Sequence, residues 1–299
     1  MTGPHLRAYL RERFPIGPYL VLITAMTLAT LGAASLATAE PVRVGATLGL
    51  SVLVLLCAFF HLRVFDEHKD YAKDLQAHPE RVLSRGLITL ADLRRLGGLA
   101  IALELGAAAL LGAHALAWTV AALGFSVLMR YEFGVGAWLG RHLVLYALTH
   151  NPVVGLLLAA VLAGASGTIT THPAMLAMLA LGTFTSLGFE IGRKLRAAYE
   201  ERDGQDTYTA ALGIPRATLL LGVVQLGSVA SALPLLPSSN TDVVAALLLI
   251  PATLTAVRFV RAPSTATRKA VEGVSSLLAL GLYVLVAIAA ITTYGARFS

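Results

Sequence analysis

Apolar runs of about twenty residues, separated by short stretches that hold most of the charge, recur along the whole chain. At about 1.5 Å per residue such a run makes a helix of about 30 Å, the thickness of a bilayer's hydrocarbon core. The pattern predicts nine membrane-spanning helices, near 16–39, 42–62, 92–112, 115–129, 142–167, 173–194, 214–236, 241–260 and 271–293. The expected fold class is an all-α polytopic membrane bundle. No short-period repeat and no Pro-, Gly- or Ser-rich linker interrupts it, so residues 1–299 read as a single membrane domain.

Composition agrees. Hydrophobic residues make up 57% of the chain and charged residues only 13%, with a mean hydropathy of +0.74, whereas soluble domains are about a quarter charged. Charge placement adds an orientation. With a cytoplasmic N-terminus, the inner segments are the N-terminal tail and 63–95, 130–141, 193–216 and 258–269, which hold 21 of the 23 Lys and Arg residues. Only Arg43 and Arg297 fall outside. This is the positive-inside distribution, expected of a multi-pass protein of the cell (plasma) membrane with the lipid bilayer as its partner. The net charge of +6 follows from topology, and nucleic acid is not an expected partner. Ala37-Thr38-Ala39 has the small residues of a signal-cleavage site, but the apolar stretch before it exceeds a usual signal core, so it is kept as the first span. Cys57, the lone cysteine, sits in an apolar run and reads as a packed small side chain.

The most informative polar stretch follows a run, 44–60, that is free of Asp, Glu, Lys and Arg: Arg63-Val-Phe-Asp-Glu-His-Lys-Asp-Tyr-Ala-Lys-Asp74. Asp66, Asp70 and Asp74 recur every fourth residue and so share one helix face, with Glu67 about 100° round the axis at its edge. Like charges at this spacing repel, so a cation is expected in front of them. An all-oxygen donor set suits a hard divalent ion, Mg²⁺ before Zn²⁺, which commonly also holds a substrate phosphate. The alternative is a solvated helix on which Lys69 and Lys73 pair with the acids.

A second inner segment, about 190–216, again mixes acids and bases: Glu190, Arg193, Lys194, Arg196, Glu200, Glu201 and Asp203, with Gly204 and Gly213 as backbone breaks and Pro215 opening the next helix. If this segment faces 63–95 across the bundle, carboxylates hold metal while Arg and Lys neutralise a diphosphate.

These two segments carry a resemblance. Asp66-Glu-His-Lys-Asp70-Tyr-Ala-Lys-Asp74 is similar to the Asn-Asp-x-x-Asp-x-x-x-Asp signature of the UbiA superfamily of intramembrane prenyltransferases, with Asp66 in the Asn place and Glu67 in the first Asp place. Arg81-Val-Leu-Ser-Arg-Gly-Leu-Ile-Thr89 resembles the family's Arg-Pro-Leu-Pro-Ser-Gly-Arg-Ile-Ser segment. Gly204-Gln-Asp-Thr207 with Gly213 resembles the Gly-x-x-Thr…Gly ending of its second acidic motif. Nine spans and a cytoplasmic N-terminus fit the family's layout. Where that second motif has two Asp four residues apart, this chain has Arg196 and Glu200.

The resemblance implies a Mg²⁺-dependent transferase that moves a prenyl group from an isoprenyl diphosphate to a small-molecule acceptor, commonly aromatic in this family. It implies Asp66, Glu67, Asp70 and Asp74, with Glu190 and Glu200, as metal ligands. Arg63, Lys69, Lys73, Arg81, Lys194 and Arg196 would neutralise the diphosphate. Asp66, Asp70, Asp74, Arg81, Lys194 and Arg196 would take part directly in catalysis. Arg196, unable to ligate a metal, is expected to fork onto phosphate oxygens. The same motifs serve a membrane terpene cyclase, which folds the prenyl cation onto itself. A secondary transporter is a further alternative, disfavoured because the acids lie in inner segments rather than at mid-membrane. His61 and His68 do not make a zinc pattern. Glu104, in the middle of an apolar run, requires a partner. Tyr131, Glu132, Arg141, His142, Tyr146 and Asn151 form a further polar group, read either as acceptor and diphosphate contacts or as interfacial anchors.

Overall fold

The computed structural model describes residues 2–202 and 206–298. An amphipathic helix, α1 (Gly3–Arg13), precedes the first span, α2 (Ile16–Thr38). There follow β1 (Val42–Val44), α3 (Ala46–Ala77), α4 (Leu90–Leu111) and α5 (Ala113–Arg130). A short α6 (Gly136–Leu139) leads to α7 (Leu143–His150), α8 (Pro152–Ser166) and α9 (Pro173–Arg193). The chain closes with α10 (Tyr208–Leu212), α11 (Ile214–Ala232), α12 (Ser239–Leu247), α13 (Leu249–Arg261), α14 (Thr265–Tyr294) and β2 (Ala296–Phe298).

Among the described residues, eight helical segments are long and apolar enough to cross a membrane, with α7–α8 and α12–α13 each counting as one segment. The remaining expected span is α4. It is 22 residues long, but every 18-residue window in it contains Arg94, Arg95 and Glu104. Strand pairing decides its course. β1 and β2 pair in parallel, Val42 opposite Ala296, which places the α2–α3 connection and the C-terminus at the same end of the bundle. An even number of traverses must lie between them, and α4 supplies the eighth. The bundle is thus the expected polytopic, all-helical one.

The boundaries moved for identifiable reasons. The span expected at 42–62 begins as a strand, and its helix runs on to Ala77, so the acids extend α3 beyond the membrane rather than forming a loop. The span expected at 142–167 divides at Asn151-Pro152, where proline opens α8 and lacks an N–H for the preceding turn. Asn151 bridges the break by donating from Nδ2 to the Thr183 carbonyl, 2.7 Å away. The last helix starts six residues before the expected 271, because Ser264 and Thr267 form its N-terminal cap.

The core lies where α2, α8, α9 and α14 meet, around Leu31, Leu157, Leu158, Leu181, Leu282 and Val286. Small residues set the helix separations there, as expected where lipid supplies no hydrophobic drive between helices. A Cβ added at Gly32 would stand 2.6 Å from the Ala290 Cβ. We expect Gly32→Leu to push α2 off α14 and destabilise the fold by about 1–3 kcal/mol. A lowered thermal midpoint of the purified protein would report this, and an unchanged midpoint would contradict the close packing.

Candidate active site

The polar residues gather at one end of the bundle, built on the extension of α3. Asp66 faces two cations at ion-pair distance, Arg63 Nη1 at 3.8 Å and Lys69 Nζ at 3.6 Å. Lys69 also donates to the Tyr146 hydroxyl at 2.6 Å, and the Tyr146 ring stacks on His150, centroids 3.9 Å apart. Tyr146, from the group read above as either site or anchor, therefore stands beside the first motif. Asp74 accepts from Arg81 and lies 3.6 Å from Arg13 Nη2. Asp70 is half-buried and makes no hydrogen bond or ion pair among the described residues. Lys73 is exposed on the neighbouring stripe. Glu67 is turned from the acid face: it is 2% exposed and takes a 2.6 Å bond from Arg13 Nε.

Downstream, the residues shared with the Arg-x-Leu…Gly-x-Ile-Thr pattern have structural duties. Gly86 has φ +69°, a left-handed turn that favours glycine. Ile88 is buried against Tyr9, Val64 and Leu93. Thr89 caps α4 through a reciprocal bond with Asp92. Arg81 is thereby presented to Asp74.

The second segment leaves α9 with Glu190 clamped by Arg193 at 2.6 Å and by Lys194 at 2.8 Å. Arg193 is close enough to Arg63 and Asp66 for their charges to act on it, so the end of α9 faces the first motif. The Tyr208 hydroxyl is buried there without a hydrogen-bond partner among the described residues. Burial raises its pKa, as does the Glu190 charge, against the opposing pull of Arg193. Thr207 caps α10, accepting from Ala210 N, and Gly213 turns the chain into α11 at φ +77°. Asp203, Gly204 and Gln205, the start of that motif, lie outside the described residues.

Arg196 and Glu200 belong to a separate group. Arg196 Nη1 donates to the carbonyls of Arg193 and Leu195, at 2.9 and 2.7 Å. Burial lowers its pKa, reinforced by Arg268 and opposed by Glu200, Glu272 and Glu201. Burial alone would raise the Glu200 carboxyl. The Ala197 N–H, the Thr265 hydroxyl and Arg268 outweigh it and hold the carboxyl below the ordinary glutamate value. Among the described residues no ion pair joins Arg196 or Glu200 to the acids of α3.

No three acidic or histidine side chains among the described residues converge on one metal-sized point. The donor chemistry still fits Mg²⁺, which keeps several waters and is usually held by one or two carboxylates together with substrate phosphates rather than by a complete protein cage. Asp66, Asp70 and Asp74 share the face that could meet that requirement, Asp70 without an ion pair among the described residues and Asp66 and Asp74 in exchange for their present cations. Glu67, Glu190 and Glu200 lie off that face, each engaged by a cation of its own.

His61 is taken up by protein partners. Inside the bundle its Nδ1 lies 2.7 Å from Glu104 and its Nε2 lies 3.2 Å from Ser126, which supplies the partner that Glu104 required. Two apolar grooves open on the sides of the bundle, about 440 Å³ between α11 and α13 and about 490 Å³ between α2 and α14. Neither contains a motif residue. What the sequence did not reveal is α1 as a part of this site. The signal was present in the apolar stripe Leu6, Tyr9 and Leu10, leading at helical spacing to Arg13.

No protein-family model matches the chain, and no curated protein matches it. Solved structures do. A UbiA homologue from Aeropyrum pernix K1 superposes with a TM-score of 0.66 at 18% identity, covering 91% of this chain and 97% of its own. A digeranylgeranylglyceryl phosphate synthase gives a TM-score of 0.63 at 15% identity, covering 97% of this chain and 99% of its own. The acidic, cation-ringed end of this membrane bundle is therefore carried on the UbiA fold, as the motif resemblance implied.

Proposed function

We propose that this protein is an intramembrane prenyltransferase that moves a prenyl group from an isoprenyl diphosphate to a small-molecule acceptor, aromatic by resemblance. The observation that carries the reading is the face of Asp66, Asp70 and Asp74 at the end of a UbiA-fold bundle, with Arg63, Lys69 and Arg81 at ion-pair distance of its acids and the Glu190–Arg193–Lys194 cluster at the facing end of α9. In the reaction the bond between the prenyl C1 and the diphosphate oxygen breaks, and its electron pair leaves with the diphosphate. The allylic cation is captured by electrons of the acceptor, which then loses a proton. Asp66, Asp70 and Asp74 would hold Mg²⁺ together with the diphosphate, and the ion when bound would supply positive charge against the leaving group.

The protein's own cations do the rest. Arg63, Lys69, Lys73, Arg81 and Lys194 surround the leaving oxygens, where fixed positive charge acts most strongly out of water. Lys69, bonded to Tyr146, is held in place rather than free to wave. The bundle interior receives the prenyl chain and keeps water from the cation. Arg196 and Glu200 are bonded away from the acid face, to the Arg193 and Leu195 carbonyls and to Thr265 and Arg268, and Arg196→Ala is expected to raise KM for prenyl diphosphate less than Arg81→Ala does. Equal effects would bring Arg196 into the diphosphate pocket. The cytoplasmic N-terminus and plasma-membrane location belong to the same reading, supported by the Lys and Arg distribution.

The test is mass spectrometry of products after incubation of the purified protein with prenyl diphosphates of several lengths, Mg²⁺ and an acceptor panel. Prenylated acceptor, lost on chelation, is the expected result. Cyclised hydrocarbon formed without acceptor would replace transfer by cyclisation, and no consumption of any prenyl diphosphate would refute both.

A further inference from the structure

The N-terminal helix does more than lead into the membrane. Tyr9 is 0% exposed and packs with Val64, Val82, Leu83, Ile88 and Leu93, seating α1 against both the α3 extension and the segment that carries Arg81. Phe14 stacks on Tyr19 at 4.1 Å and meets Phe60 edge-on at 5.2 Å, fixing the corner between α1 and α2. Arg13, the last residue of α1, is thereby aimed into the acids. Its Nε donates to Glu67 at 2.6 Å. Its Nη2 stands 3.6 Å from Asp74, beyond hydrogen-bond distance, and the side chain retains 18% exposure.

A guanidinium carries five donors in a planar fork. Here one donor is spent on a buried carboxylate, which sets the plane, while among the described residues the Nη edge has only a loose electrostatic partner. Asp74 is in turn shared by two guanidiniums from separate segments, Arg13 and Arg81. We propose that Arg13 is a substrate-binding residue for the diphosphate: Glu67 orients it, and its Nη edge takes phosphate oxygens when Asp74 turns to the metal. Glu67 is then a positioning residue that acts through Arg13. This inference rests on the prenyl-diphosphate reading and assigns to the site a helix that none of its motifs contains.

Inorganic pyrophosphate with Mg²⁺ is the probe, measured both by direct binding to the purified protein and as an inhibitor of turnover. Arg13→Ala should weaken pyrophosphate binding and raise KM for prenyl diphosphate about tenfold or more, leaving KM for the acceptor unchanged. Arg13→Lys should recover part of the loss, because it restores charge without the fork. Glu67→Gln, which still offers Arg13 an acceptor oxygen, should fall between wild type and Arg13→Ala.

Wild-type pyrophosphate binding in Arg13→Ala overturns the proposal; if that variant does not fold, wild-type binding in Arg13→Lys overturns it instead. An equal rise in both KM values would make Arg13 a structural anchor and also overturn it. Absence of turnover in the wild type refutes the transferase reading. The binding measurement then still decides on Arg13: loss in the variant upholds it, while no binding to either protein sinks it.

Discussion

Asp70→Asn and Asp74→Asn should each reduce prenyl transfer by about a hundredfold or more while leaving the protein folded. The two acids differ in what they do before substrate arrives. Asp74 is already held by Arg81 and approached by Arg13, so its amide variant loses two charge-assisted contacts as well as a metal oxygen. Asp70 has no ion pair among the described residues, and burial disfavours its charge, eased by Lys69 and Lys73 and reinforced by Asp66 and Asp74, so its amide variant gives up a net unfavourable charge and leaves the resting protein no less stable. A few kcal/mol of lost charge stabilisation in the transition state corresponds to the expected factor, at about 1.4 kcal/mol per tenfold. Steady-state rates and thermal midpoints of both variants, with Mg²⁺ varied, separate these effects. Unchanged turnover in well-folded Asp70→Asn would remove the metal assignment at its centre.

The second large effect is on stability. Glu104 and His61 are both buried, bonded to each other at 2.7 Å, with Ser126 on the far side of the imidazole. Among the described residues Glu104 Oε1 has no hydrogen-bond partner, so His61 is the main partner of this carboxyl within the bundle. His61→Ala should destabilise the protein by about 3–5 kcal/mol, the usual consequence of stranding one member of a buried pair. Glu104→Gln keeps an acceptor for the imidazole and should be much milder. The double variant His61→Leu/Glu104→Leu should recover most of the loss, since a matched apolar replacement leaves no stranded group. Unfolding free energies of wild type, His61→Leu, Glu104→Leu and the double variant in detergent measure the coupling. Additive single and double effects would show that the two side chains do not act as a pair.

Hydrophobic periodicity alone made most of the fold legible. An apolar run of bilayer length has one low-energy solution in lipid, the helix, because every backbone group must be satisfied within the segment. Eight expected spans therefore reappear with shifts mainly at their ends, and α4 is recovered despite Arg94, Arg95 and Glu104. Where the boundaries moved, local chemistry won: Pro152 divides a helix, and the Ser264 cap starts another early. The face of Asp66, Asp70 and Asp74 was equally readable, since helix geometry converts a four-residue spacing into a stripe. The Lys194–Glu190 pair follows from the same rule.

Other features depended on residues far apart in the chain, which no local spacing connects. That Glu67 leaves the acid face for Arg13 required α1 to dock, 54 residues away in sequence. That Lys69 meets Tyr146, and Glu104 meets His61, required α3 to pack beside α7 and α4. Arg196 shows the limit most plainly. By position it occupies a family carboxylate's place, yet its guanidinium turns to the carbonyls of Arg193 and Leu195 and to the charges at the start of α14. The sequence by itself determined the membrane class, the helices and the acid stripe, because backbone satisfaction and helical period are local rules. Which cation neutralises which acid was decided by tertiary structure alone, because long charged side chains choose among partners that only packing brings within reach.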